Sequence, residues 1–155
     1  MFESEREMQN TFLSLLKKRK TCGLLFEEVG NRNHFFRTDI VEYKHKNNII
    51  EYELKLKDFK KLIEQILKTM KLYDKNYMVI PENKLDIFLK NIQLCKDKNI
   101  EKIGIAVLNK NKYKIIKQPN SNTRDYSDVY LVCMIPDLII RGYHKDGINK
   151  CKNYK

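Results

Sequence analysis

The chain has 155 residues, with 31 Lys and Arg against 20 Asp and Glu, for a net charge of +11. That length makes a single domain whose core needs no disulfide or zinc staple, and a charge of that sign and size favours polyanionic partners, nucleic acid first among them. Cys22, Cys95, Cys133 and Cys151 form no C-x-x-C pair and have no His at ligand spacing, which argues against a zinc site or disulfide framework and for reduced thiols in the cytoplasm.

Residues 3 to 19 read as a helix with Met8, Phe12, Leu15 and Leu16 on one apolar stripe. Counting round the helix places Glu5 on that stripe and Glu3 and Glu7 facing away. An acid there either projects toward a sheet or serves the helix dipole as a first-turn residue. Strands follow at 22–29, 35–43 and 49–56. In the third, Ile50, Tyr52, Leu54 and Leu56 point one way, for packing, and Glu51, Glu53 and Lys55 the other, for chemistry or solvent. The polar run Lys44 to Asn48 reads as a hairpin turn, and a hairpin centred on Lys46 sets Asp39 directly opposite Glu53. Next comes a helix at 57–73, with Phe59, Leu62, Ile63, Ile66, Met70 and Tyr73 on its inner side. Lys57, Lys61, Lys68 and Lys71 line the other side, as a solvated face or a track for a phosphate backbone.

A strand at 76–80 ends at Pro81, and a helix at 83–97 directs Leu85, Phe88, Leu89 and Ile92 inward. The strands EKIGIAVL and KYKIIKQ are joined by the turn Asn109-Lys110-Asn111. Residues 118–125 are linker-like, 126–140 form a closing helix or strand, and 145–155 are a polar, basic tail after a domain spanning 1–144. The longest apolar run, 129–140, is too short for a bilayer and contains Pro136 and Asp137, and the start MFESEREMQ has no apolar signal segment. The expected class is α/β, a mixed sheet flanked by helices in the order α-β-β-β-α-β-α-β-β.

The chemistry concentrates in FFRTDIVEY and NNIIEYELKLKDF. Asp39 lies between Phe35, Phe36 and Ile40, Val41, so its carboxylate is in or beside the core and needs a partner. With Glu53 and Lys55 it makes the minimal set for metal-dependent phosphodiester cleavage: two carboxylates for a hard divalent cation and an ammonium beside the phosphate. The competing reading is an E-x-K triplet on a solvent-facing strand in a Lys-rich chain. His34, His45 and His144 are dispersed and have no Ser or Cys at triad spacing, and no phosphate-binding Gly-rich loop is present.

The order helix, three strands, helix, strand, with Asp39 on the second strand and E-x-K on the third, resembles the PD-(D/E)XK, or restriction-endonuclease-like, nuclease superfamily. Residues 37–118, from RTDIVEY through IIEYELKLKDFKKLIEQILKTMKLYDKNYMVIP to EKIGIAVLNKNKYKIIKQP, look most like the MmcB-like group of DNA-repair-associated nucleases. The resemblance implies a DNA endonuclease of repair or recombination in which Asp39 and Glu53 ligate Mg²⁺ or Mn²⁺. It further implies that the Leu54 carbonyl completes the shell and that Lys55 polarises phosphate or water. An acid of the first helix joins them, Glu5 with Glu7 in reserve; Lys57, Lys61 and Lys68 are the candidate DNA contacts, and a homodimer is implied by analogy. Three departures stand out: Thr38 where proline precedes the Asp, Thr69 where RecB-type members carry tyrosine, and Glu51 as an extra acid. A non-catalytic nucleic-acid-binding module that keeps the fold, and an interaction protein with merely solvated charges, are the alternatives.

Overall fold

A computed structural model describes residues 1–30, 37–45 and 47–122. The expected contribution of Phe35 and Phe36, the turn residue Lys46, the closing segment at 126–140 and the tail therefore lie outside the described residues. Helix α1 (Glu5–Lys17) is followed by β1 (Leu24–Gly30), β2 (Arg37–His45) and β3 (Asn48–Leu54). Then come α2 (Phe59–Thr69), β4 (Lys75–Pro81), α3 (Leu85–Leu94), β5 (Gly104–Leu108) and β6 (Tyr113–Lys117), with short 3₁₀ turns at 70–72, 82–84 and 98–102. The strands form one six-stranded sheet in sequence order. β1, β2 and β3 run antiparallel, β3, β4 and β5 parallel, and β6 antiparallel to β5. This is the mixed α/β sheet flanked by helices that the sequence leads one to expect.

Each parallel step needs a crossover, and α2 and α3 supply the two. Their apolar residues Phe59, Leu62, Ile63, Ile66 and Phe88 pack on Met78, Ile80, Ile105 and Val107. On the other side Met8, Phe12, Leu13 and Leu16 of α1 join Leu25, Ile40, Ile50, Tyr52, Leu54, Tyr77 and Val79. There the Phe12 ring meets Tyr52 edge-on at 5.2 Å, and Tyr52 stacks on Tyr77 at 5.2 Å. A buried polar group anchors this layer: Glu42 accepts from Arg19 Nη2 at 2.7 Å, Gly23 N–H at 2.9 Å and the Tyr52 hydroxyl at 2.8 Å. Among the described residues no helix is long and apolar enough to cross a membrane.

Three expectations change. β3 is buried along nearly its whole length, so its Glu51/Glu53 face is not an open surface. The reason is topological, because a strand parallel to its neighbour lies under the crossover helix, here α2. Leu89 is 37% exposed and Ile87 51%, so α3 buries only Phe88 fully and lies as a shallow outer layer. Gln9 and Leu13, outside the expected stripe of α1, are buried as well, widening the face that this helix presents to the sheet.

Candidate active site

The β2–β3 register pairs Ile40 with Tyr52, Val41 with Glu51, Glu42 with Ile50 and Tyr43 with Ile49. Continued by one pair it sets Asp39 opposite Glu53 on the same face of the sheet, as a hairpin centred on Lys46 requires. Side-chain geometry agrees with that register. Asp39 Oδ2 accepts the Leu54 N–H at 2.8 Å, and the Asp39 and Glu53 carboxyls are close enough to shift one another's titration. Glu53 is 3% exposed, and its Oε1 is buried with no hydrogen-bond partner.

Burial and mutual repulsion set the electrostatics. Burial first, then the Asp39 and Glu51 carboxylates, push the Glu53 carboxyl up to about 10, so its protonated form is favoured at neutral pH. Asp39 is also raised, by burial and by Glu28, with the Leu54 amide and the Glu53 carboxyl pulling the other way. Two neighbouring carboxyls with one buried oxygen left unpartnered are hard oxygen donors, the kind a divalent cation such as Mg²⁺ takes. That ion takes one or two carboxylates and completes its shell with water and substrate phosphate. The Leu54 peptide belongs to the same cluster through its N–H.

Lys55, 18% exposed at the side chain, lies one residue beyond β3, with its N–H bonded to Val79 O. Its ammonium is 3.4 Å from Glu5 Oε2. Glu5 thus comes to the site through Lys55; it is in helical phase with the buried Met8 and Phe12, as expected, but its side chain is exposed. Glu7, the reserve, is occupied elsewhere. It accepts the Glu3 N–H at 2.7 Å and pairs with Lys110 at 2.9 Å, contacts that hold its carboxyl below the usual carboxylate range. With Ser4 Oγ accepting the Glu7 N–H, it caps α1.

Glu51 is fully buried. Thr69 Oγ1 lies 2.8 Å from both of its oxygens, and Thr38 Oγ1, 3.4 Å from Oε2, is 2.8 Å from the Tyr73 hydroxyl. Burial pushes its carboxyl up to about 8. The three departures from the superfamily pattern, Thr38, Thr69 and Glu51, therefore form one hydrogen-bonded unit that fastens the end of α2 to β2 and β3. Lys57, Lys61 and Lys68 are all exposed, Lys61 and Lys68 on the outer face of α2.

Glu28 was not singled out from the sequence. It stands on β1 between the pairs Glu27–Ile40 and Val29–Thr38, has φ 55, and pairs with Arg37 at 2.8 Å. The left-handed backbone breaks the pleat and lets consecutive acids reach one amide: Gln9 Nε2 is 3.3 Å from Glu27 Oε1 and 3.3 Å from Glu28 Oε1, and 3.4 Å from the Asp39 carbonyl. The paired acids in LLFEEVG, an otherwise apolar strand, are the signal that marks them. Among the described residues no group of three or more His, Cys, Asp or Glu side chains is gathered to hold a metal ion, so the cluster is a carboxyl pair with Glu28 and Glu51 on either side.

No protein-family model matches the chain, and no curated protein matches it. A solved structure of a protein of unknown function from Silicibacter pomeroyi is similar in fold, with a TM-score of 0.54 at 12% identity, covering 76% of this chain and 75% of that one. The likeness extends to the fold alone.

Proposed function

We propose that the protein is a metal-dependent endonuclease that hydrolyses DNA phosphodiester bonds, with a restriction-endonuclease-like fold and a role in repair or recombination in the cytoplasm. One observation carries this reading: Asp39 and Glu53 meet across β2 and β3 with a buried, unpartnered carboxylate oxygen, and the Lys55 ammonium follows on the same strand end. Asp39 and Glu53 would hold Mg²⁺ or Mn²⁺, with the Leu54 carbonyl as the third protein ligand. The ion supplies Lewis acidity and water activated near neutral pH. The chain's own residues do the rest. Asp39 is fixed by the Leu54 amide, so its free oxygen has one orientation. Lys55 places a positive charge beside the scissile phosphate, where it stabilises the charge that develops on the phosphoryl oxygens. Glu5 orients that ammonium from α1.

The test is incubation of purified protein with supercoiled, linear, branched and single-stranded DNA in Mg²⁺, Mn²⁺ or EDTA. Cleavage that requires the metal supports the reading, and absence of cleavage on every substrate removes it. The second reading is a nucleic-acid-binding module that keeps the fold without cutting, favoured by the net charge of +11. Both readings expect binding that weakens steeply with salt, because each neutralised phosphate releases counterions. Replacing Lys57, Lys61 and Lys68 together with Ala is expected to weaken binding to all sequences alike and to flatten the salt slope by about 2 to 3. Anisotropy titrations at several salt concentrations measure this, and an unchanged slope moves the DNA face off α2.

A further inference from the structure

α1 has a second polar stripe. Arg6, Asn10, Ser14 and Lys17 recur at helical spacing, and with Leu13 and the β1 residue Glu27 they line an open groove of about 350 Å³. Arg6, Asn10 and Ser14 are exposed, whereas Leu13 is 6% exposed and forms the floor.

Three features give this groove a direction. At one end Arg6 follows in the chain on Glu5, the residue that pairs with Lys55. Along its wall Glu27 shares Gln9 with Glu28 and the Asp39 carbonyl, so the groove reaches the α1 side of the strand that carries Asp39. Its donors, two cations, an amide and a hydroxyl, fall about one per helical turn, a repeat of about 5.4 Å along the axis. Evenly spaced donors of this kind suit a linear polymer with one anion per unit better than a compact ligand. Its one acid, Glu27, already accepts from Gln9.

We infer that the α1 groove binds the phosphodiester backbone of a single nucleic-acid strand and leads that strand to the Asp39/Glu53 pair. The inference rests on the nuclease reading for the strand's destination, whereas the binding itself does not depend on cleavage. Arg6 and Lys17 meet phosphates as charges, and Asn10 and Ser14 hydrogen-bond the oxygens between them.

The experiment is fluorescence anisotropy of a 5′-labelled single-stranded DNA 15-mer with the full chain in EDTA, so that nothing is cut. Wild type, Arg6→Ala/Lys17→Ala, Asn10→Asp and the Lys57/Lys61/Lys68 Ala variant are each titrated at several salt concentrations. Arg6→Ala/Lys17→Ala is expected to lose at least ten-fold in affinity and to reduce the salt slope by about 1.4, the value for two phosphate contacts on a single strand. Asn10→Asp, which preserves size and adds a repelling charge, is expected to lose affinity by a similar factor. These positions lie outside the core, and matching circular dichroism and melting curves check that the variants fold as wild type does. Unchanged affinity and slope in both groove variants overturn the inference, as does failure of the wild type to bind the oligonucleotide. A wild type that binds through the groove but cuts nothing in Mg²⁺ leaves the inference standing and removes the nuclease reading instead. An equivalent RNA 15-mer, run in parallel, establishes whether the groove distinguishes the two sugars.

Discussion

Asp39→Asn and Glu53→Gln are each expected to abolish Mg²⁺-dependent nicking of supercoiled DNA, a loss on the order of 10³-fold, comparable to deleting a preorganised electrostatic contact at a reacting centre. Both changes keep size and hydrogen-bonding capacity but remove a negative charge that a divalent cation requires. Lys55→Met is expected to cost a similar factor while sparing metal affinity, because its ammonium acts on the phosphate. Glu51→Gln supplies the contrast. That side chain is fully buried and its oxygens are bound by Thr69 and Thr38, so most of the activity is expected to survive. Nicking rates under single-turnover conditions, with circular dichroism to confirm folding, separate these outcomes. Wild-type cutting by Asp39→Asn, or full activity of the unaltered protein in EDTA, sinks the assignment of the pair.

How much of this was legible in the residues depended on range. The Asp39–Glu53 juxtaposition was readable because a hairpin is local: once the polar turn is centred on Lys46, period-two alternation fixes which side chains face each other. The order of elements followed from periodicity for the same reason. Burial of the Glu51/Glu53 face was not readable, because it depends on where α2 lies after its crossover, which no local pattern specifies. Glu51 illustrates the gap. From the sequence it was an unassigned acid on a strand, whereas in the fold two hydroxyls distant in the chain enclose it. Helical counting gives Glu5 its angle round the axis but not its exposure, which depends on how far the sheet extends beneath the first turn. Glu28 escaped because its role depends on a positive φ, which a glutamate does not announce.

In EDTA the fold is expected to lose stability as pH rises from 5 to 8, and Mg²⁺ is expected to restore it only at the upper end. The carboxyls of Glu53 and Glu51 are raised from 4.5 to about 10 and about 8. A raised acid keeps its proton in the folded state when the unfolded chain has already released it. Its favourable contribution is thus complete below about pH 4.5 and drains away as pH climbs toward the folded value, at up to about 1.4 kcal/mol per pH unit for each group. Glu51 stops contributing to the slope near pH 8, whereas Glu53 continues toward pH 10. Across pH 5 to 8 the fall is expected to show as a steady drop in Tm. A cation at the pair replaces the proton, so at pH 8 Mg²⁺ at a hundred times its Kd adds about 2.7 kcal/mol, whereas at pH 5 protons compete and the gain shrinks. Glu53→Gln has no charge to bury and is expected to melt higher than wild type at pH 8 in EDTA, with no response to Mg²⁺. Glu51→Gln is expected to melt higher too and to keep the Mg²⁺ response, because Glu53 remains. Thermal melts of the three proteins at pH 5, 6.5 and 8, with EDTA or Mg²⁺, decide the matter. A wild-type Tm that is flat or rising with pH in EDTA, or a Glu53→Gln protein that still gains from Mg²⁺, removes the pair as a cation site, since a buried carboxyl pair must either hold its proton or exchange it for a metal.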